Sequence, residues 1–230
     1  MKLKAVILGN ELDNDHGKWI MACENFKNEL EYSVVNLSEN DWLENINNQK
    51  ADILLAKPGG LTSYMKQLYD EKIYILSSFL GYKIFPSPME IFIYENKRFL
   101  SFWLKANKIP HPETDVFYNK NEAVKALDIY DFPLVAKVNI GASGSGVKIL
   151  NQKKNALEYL NDTFSGEGAY KRSGPNFDKG GILKRGFHYL LHPGDISEKL
   201  HRYNLIKNDP QKEFVIFQES SGATTTRKPL

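Results

Sequence analysis

Short apolar runs alternate with helix-spaced apolar residues over roughly the first 90 residues of the chain. The runs predict strands at residues 3–8, 32–37, 52–56 and 82–85. The helical spacing predicts helices at residues 17–30, 41–47 and 62–69. Because strands and helices alternate, this part of the sequence predicts a small α/β domain with a parallel sheet.

Glycines follow the first and third predicted strands, at Gly9 and at Gly59-Gly60. Parallel sheets bind ligands at the carboxyl ends of their strands, so these loops are candidate ligand contacts. Glycine also simply ends strands. The sequence leaves both interpretations open.

The rest of the chain has a different order of elements. A helix opens near residues 95–97, and later helices are predicted at 121–127, with Asn121 as the N-cap, and at 153–160. The predicted strands lie at residues 114–118, 133–138, 147–150 and 213–219.

A glycine-rich stretch, NIGASGSG at residues 139–146, separates two of these strands, and Lys137 ends the first of them. Small residues let backbone N–H groups converge on phosphate oxygens, and lysine adds a positive charge. The competing interpretation is a flexible hairpin turn beside a solvated lysine. A Walker A loop is excluded because Val147 stands where its lysine would be, and the kinase order of glycine loop before lysine is reversed.

Composition and charge narrow the class of protein. Hydrophobic residues make up 42% and charged residues 25% of the chain, which is typical of a globular protein. The net charge of +2 predicts neither a nucleic acid nor a membrane as partner. The single cysteine, Cys23, fits a reducing compartment, and no apolar stretch reaches the length of a bilayer span. We therefore expect a cytoplasmic protein.

Residues 163–209 are the least regular part of the sequence, with several glycines and more basic than acidic residues. One interpretation is a mobile basic flap near an anionic ligand, and the other is an exposed loop with solvated charges. His188, His192 and His201 lie here, but their spacing is not that of a zinc site.

Three segments, in order, resemble the ATP-grasp superfamily. Lys97 opens a helix that leads to the Ile-Pro-x-Pro-x-Thr pattern at residues 109–114. Lys137 then precedes the small-residue loop at 141–146, and the strand at 215–219 ends in two polar residues. The resemblance implies a Rossmann-like parallel-sheet domain at residues 1–92, a partial ATP-grasp α+β domain at 93–219, and an irregular tail at 220–230.

The resemblance also implies roles for particular residues. The two lysines would neutralise phosphate oxygens, the loop would close over the phosphates, and the strand at 215–219 would present the adenine hinge and one face to the base. The implied nucleotide-binding residues are Lys97, Lys137, Gly141, Ser143, Gly144, Ser145, Gly146, Gln218 and Glu219. Valine at Gly144 or Gly146 is then expected to damage binding without lowering the melting temperature of the empty protein.

The implied activity is joining a small carboxylate to an amine or thiol through an acyl-phosphate, with ATP and Mg²⁺. The family's metal ligands follow the hinge strand, and residues 220–230 contain no Asp, Glu or Asn. From this we expect the C-terminal part of the domain to be missing and the exposed strand edge to favour self-association. The alternatives are a non-catalytic nucleotide-binding module and an interaction protein that no longer binds nucleotide.

Overall fold

The computed structural model describes residues 2–10, 16–141, 146–169, 201 and 204–220. The chain forms two compact units, Met1–Asn96 and Lys97–Leu230. Most of the predicted basic flap, the tail after Ser220, and three loop residues, Ser143, Gly144 and Ser145, lie outside the described residues. Among the described residues, no helix has both the length and the hydropathy needed to cross a bilayer.

The first unit is a parallel sheet with helices between its strands. Its strands are β1 (Leu3–Gly9), β2 (Leu30–Asn36), β3 (Ile53–Ala56) and β4 (Ile84–Phe85). Its helices are α1 (Gly17–Asn25), α2 (Trp42–Gln49), α3 (Ser63–Tyr74), which continues into a π-helical turn at Ile75–Phe79, and α4 (Pro88–Ile93). The strand order is β2-β1-β3-β4, and every pairing is parallel. This confirms the predicted parallel α/β architecture.

The central strand β1 is buried on both faces, which explains its continuous apolar run. Val6 and Leu8 belong to a core with residues of α2, α3 and α4, whereas Ala5 and Ile7 pack with Cys23 of α1. Burial on both faces is typical of parallel strands covered by helices on either side.

Helix α4 has no counterpart in the sequence-based prediction. Ser87 accepts a hydrogen bond from the Glu90 N–H at 3.4 Å, and the Glu90 carboxylate accepts one from the Ser87 N–H at 2.8 Å. This reciprocal capping box, with Pro88 at the first helical position, stabilises a helix too short to show an apolar period.

The second unit contains an antiparallel sheet. Its strands are β5 (Thr114–Phe117), β6 (Leu134–Lys137), β7 (Val147–Leu150) and β8 (Val215–Glu219), in the order β5-β8-β6-β7. Its helices are α5 (Lys97–Ala106), α6 (Lys120–Ala126) and α7 (Lys153–Phe164). The N-cap of α6 is Asn119 and not Asn121 as predicted, because the Asn119 side chain accepts bonds from the N–H groups of Asn121 and Glu122.

One face of this sheet carries the core of the unit. Leu134 and Ala136 of β6 and Phe217 of β8 are buried together with residues of α6 and α7. Side chains alternate along a strand, so the other two residues of β6, Val135 and Lys137, belong to the opposite face.

Candidate functional site

Two rows of paired residues make up the sheet face opposite that core. Across β5, β8, β6 and β7, the register aligns Thr114, Gln218, Val135 and Ile149 in one row. It aligns Val116, Ile216, Lys137 and Val147 in the other. Near β7 this face is open, since Ile149 is 63% and Val147 41% exposed. The result is a largely apolar surface with one cationic side chain.

Lys137 provides that cation at the last residue of β6. Its ammonium group is half-buried and donates a hydrogen bond to Oε1 of Gln218, and burial lowers the pKa of Lys137. Among the described residues, no carboxylate forms an ion pair with it. A partly desolvated cation beside a neutral amide is well suited to bind an anion.

The glycines at the two ends of the loop have backbone conformations that other residues avoid. Gly141 has φ +149 and Gly146 has φ +74. The Gly146 carbonyl accepts a hydrogen bond from the Val138 N–H at 2.8 Å, and a Cβ on Gly146 would lie 2.1 Å from Cγ2 of Val138. Gly146 is therefore required by packing, which corrects the expectation that a valine there would leave the empty protein's stability unchanged.

Lys97 lies at the start of α5, next to the entry of the loop. Its Nζ donates hydrogen bonds to the main-chain oxygens of Gly141, at 2.5 Å, and of Asn139, at 3.4 Å. The Lys97 residue is half-buried at this position. In this unit, the structure thus brings Lys97 together with the first glycine of the loop.

Asn139 is a site residue that sequence reasoning did not single out. Its side-chain oxygen accepts a hydrogen bond from the Arg98 N–H at 2.8 Å, and its N–H donates to Oε1 of the buried Gln211. Asn139 thereby fixes the start of the loop to α5 and to the segment before β8. Its place two residues after Lys137 was visible in the sequence, but its partners were not.

Strand β8 turns its residues alternately to the two faces of the sheet, with Val215 and Phe217 on the same face. Both of these side chains lie in the core, and Ile216 is the one that shares a face with Lys137. Gln218 contacts Lys137 and also donates from Nε2 to Oγ1 of Thr114 at 2.9 Å. Glu219 pairs with Leu134, whose side chain is in the core. The register therefore assigns Glu219 to the core face of the sheet, opposite the face that carries Lys137.

Metal-binding residues were implied only by the family resemblance. Within the part of the chain that the structure describes, no three His, Cys, Asp or Glu side chains form a cluster that could hold an ion. Mg²⁺, however, is commonly held by one or two carboxylates together with phosphate oxygens, so it does not require a cluster of three such side chains.

Several solved structures share this fold. N5-carboxyaminoimidazole synthetase from Staphylococcus aureus, complexed with ADP, matches with TM-score 0.54 and 12% identity, covering 96% of this chain and 48% of that one. D-alanine–D-alanine ligase from Bacillus anthracis, complexed with ATP, matches with TM-score 0.51 and 16% identity, covering 96% and 57%. No protein-family model matches the sequence, and no curated protein matches it at the sequence level.

These matches show that the chain has the fold of the ATP-grasp enzymes: a parallel N-terminal sheet followed by the antiparallel sheet of the central domain. The predicted resemblance and fold class are thereby confirmed. At these identities the similarity establishes the fold, and this chain spans about half of the length of the two structures, at 48% and 57%.

Proposed function

We propose that the sheet face around Lys137 binds the phosphates and base of an adenine nucleotide, ATP or ADP. The observation that carries this proposal is the half-buried Lys137 ammonium, held by a neutral amide on a largely apolar face. Two structures with the same fold contain ATP and ADP, which supports the choice of nucleotide.

The loop after β6 completes the phosphate contacts in this proposal. Lys97 lies against the Gly141 carbonyl and adds a second positive charge at the loop entry. The sequence puts Ser143, Gly144 and Ser145 in this loop, and residues this small would leave their backbone N–H groups open to phosphate oxygens. Two cations and convergent N–H groups would balance much of the charge of a triphosphate.

The apolar part of the same face would contact the base. Val135 and Ile149 are paired across β6 and β7, and Ile216 lies in the next row on β8. Aliphatic side chains on neighbouring strands form a flat surface suited to an aromatic ring. The polar edge of the base would be read by main-chain groups near Gln218 and Glu219.

We further propose that the protein uses ATP as a ligase that activates a small carboxylate. A carboxylate oxygen attacks the γ-phosphorus, and the bond between that phosphorus and the bridging oxygen of the β-phosphate breaks, so that ADP leaves. An amine or thiol then displaces phosphate from the acyl-phosphate. Lys137 and Lys97 stabilise negative charge on the phosphoryl oxygens during transfer. Mg²⁺ bound with the nucleotide would supply further neutralisation of the phosphate charge.

Titration calorimetry of Lys137→Gln with ATP and with ADP tests nucleotide binding. Loss of a partly desolvated charged contact is worth about 1.5–3 kcal/mol, so affinity should fall about tenfold to a hundredfold. Lys148→Gln is the matched control, because Lys148 is exposed on β7 and its register partner is Ala136, on the core face. Equal affinities for wild type and Lys137→Gln would refute the assignment.

A trapping assay separates a ligase from the alternative, a non-catalytic nucleotide-binding module. The protein is incubated with ATP, Mg²⁺, hydroxylamine and a panel of small amino and dicarboxylic acids. A ligase converts one of these carboxylates to a hydroxamate with stoichiometric phosphate release. Nucleotide binding with no hydroxamate from any of them supports the binding module.

A further inference from the structure

A chain of hydrogen bonds runs from Lys137 across the sheet to β5. The Lys137 ammonium donates to Oε1 of Gln218, Nε2 of Gln218 donates to Oγ1 of Thr114 at 2.9 Å, and Oγ1 of Thr114 donates to the carbonyl of Pro112 at 2.9 Å. Thr114 is 5% exposed, so the end of this hydrogen-bond series that is distant from Lys137 is anchored in a buried position.

Each bond in this chain has only one possible direction. An ammonium group has no acceptor, so the Gln218 side chain must present its oxygen to Lys137 and its NH₂ group to Thr114. The Thr114 hydroxyl then accepts from the amide, and its own proton goes to the Pro112 carbonyl, which can only accept. The orientation of the Gln218 amide therefore follows from the chemistry of the groups at its two ends.

From this geometry we propose that Gln218 is a positioning residue that holds the Lys137 ammonium through a neutral relay and leaves its positive charge for a phosphate anion. The relay itself is independent of any ligand, and the identity of the anion as a nucleotide phosphate rests on the proposed function. Sequence reasoning had assigned Gln218 only to the adenine hinge.

The other unit of the chain contains a lysine that is paired with a carboxylate instead of an amide. Lys66 is 2% exposed, and its ammonium contacts both carboxylate oxygens of Asp70 at 2.5 Å, so its charge is neutralised within the fold. Lys137 has an amide where Lys66 has a carboxylate. An amide fixes the direction of the ammonium without opposing its charge, and so it does not compete with an incoming anion.

The experiment compares Gln218→Glu, Gln218→Met and Thr114→Val with wild type, using two measurements. The first is the pKa of Lys137 without nucleotide, measured by following the ¹³Cε chemical shift of labelled lysine as pH is changed. The Lys137 signal is identified as the one that is lost in Lys137→Gln. The second is the affinity for ATP and ADP. Gln152→Glu is the matched control, because it adds the same charge at an exposed residue before α7.

Gln218→Glu should raise the pKa of Lys137 by about one unit or more and weaken nucleotide binding about tenfold, since the new carboxylate pairs with the ammonium and repels phosphate. Gln218→Met should also weaken binding severalfold, but without raising that pKa. Thr114→Val should also weaken nucleotide binding, but less than Gln218→Met does. If Gln218→Met does not fold, the affinity of Thr114→Val is the test of the relay. Gln152→Glu should match wild type in both measurements.

A Lys137 titration that is unchanged in Gln218→Glu would overturn the relay, as would wild-type nucleotide affinity in both Gln218→Met and Thr114→Val. Failure of the proposed function gives a different result. If the wild-type protein binds neither nucleotide, the nucleotide assignment falls, while the pKa of Lys137 in Gln218→Glu still decides whether Gln218 holds the ammonium.

Discussion

At the scale of single residues, Gly146 is a position where the structure leaves little room for any residue but glycine. Its φ of +74 disfavours any other residue, and the Val138 side chain occupies the space that a Cβ would need. Both features lie where the loop joins β7, close to Lys137. The end of the loop is therefore defined by packing, whatever ligand the loop contacts.

Gly146→Ala should lower the free energy of unfolding by about 2–4 kcal/mol, because overpacking adds to the strain of a positive φ. Gly81→Ala is the matched control: Gly81 has φ +70, and a Cβ added there would have no atom within 4 Å among the described residues. Denaturant unfolding of both variants separates the contact with Val138 from backbone strain. If Gly146→Ala loses no more stability than Gly81→Ala, the close contact with Val138 has no energetic weight.

At the scale of elements, helix α5 depends on a cap from outside its own segment. The Asn139 side chain accepts the Arg98 N–H, and its carbonyl accepts the Lys97 N–H at 3.2 Å. The first N–H groups of a helix have no partner within the helix, so these contacts couple helix stability to the loop after β6.

Asn139→Ala should destabilise the protein by about 1 kcal/mol, as loss of a side-chain acceptor at a helix N-terminus usually does. Asn139→Asp keeps the acceptor and adds a charge that favours this end of a helix, so it should stay close to wild type. Thermal unfolding of both variants in the absence of ligand is the measurement. Equal losses in the two variants would show that the cap is not what Asn139 contributes.

At the scale of the whole molecule, the Lys66–Asp70 pair links stability to pH. The Lys66 ammonium also donates to the carbonyl of Ile91 at 3.1 Å, so the pair ties α3 to α4. Burial raises the pKa of Asp70 from 3.8 to about 6 and lowers the pKa of Lys66, and the charge of Glu95 acts on Lys66 in the opposite sense.

The raised pKa of Asp70 sets the direction of the pH dependence. Between about pH 4 and 6 the folded protein keeps a proton on Asp70 that the unfolded chain releases, so stability falls as pH rises through this window. Asp70→Asn should flatten this part of the stability profile, because the asparagine side chain does not titrate. Asp128→Asn, at an exposed ion pair, is the control and should keep the wild-type slope. An unchanged slope in Asp70→Asn would contradict the prediction.

Much of the architecture could be predicted from the sequence because it depends on local periodicity. Strand β7 lies at the predicted residues 147–150. The apolar runs of β1, β3 and β6 could be recognised in the sequence without knowing which segments they pack against. The order of Lys97, Lys137 and the glycine loop also pointed to the ATP-grasp fold, and the structural match supports that fold at 16% sequence identity.

Tertiary structure decided which residues meet. Lys137 and Gln218 are 81 residues apart, and only the pairing of β6 with β8 puts them side by side. The requirement for glycine at position 146 depends on where Val138 lies, and the face of Ile216 depends on the register of β8. Local sequence sets the period of each element, whereas the partner of a side chain is set by packing between segments distant along the chain.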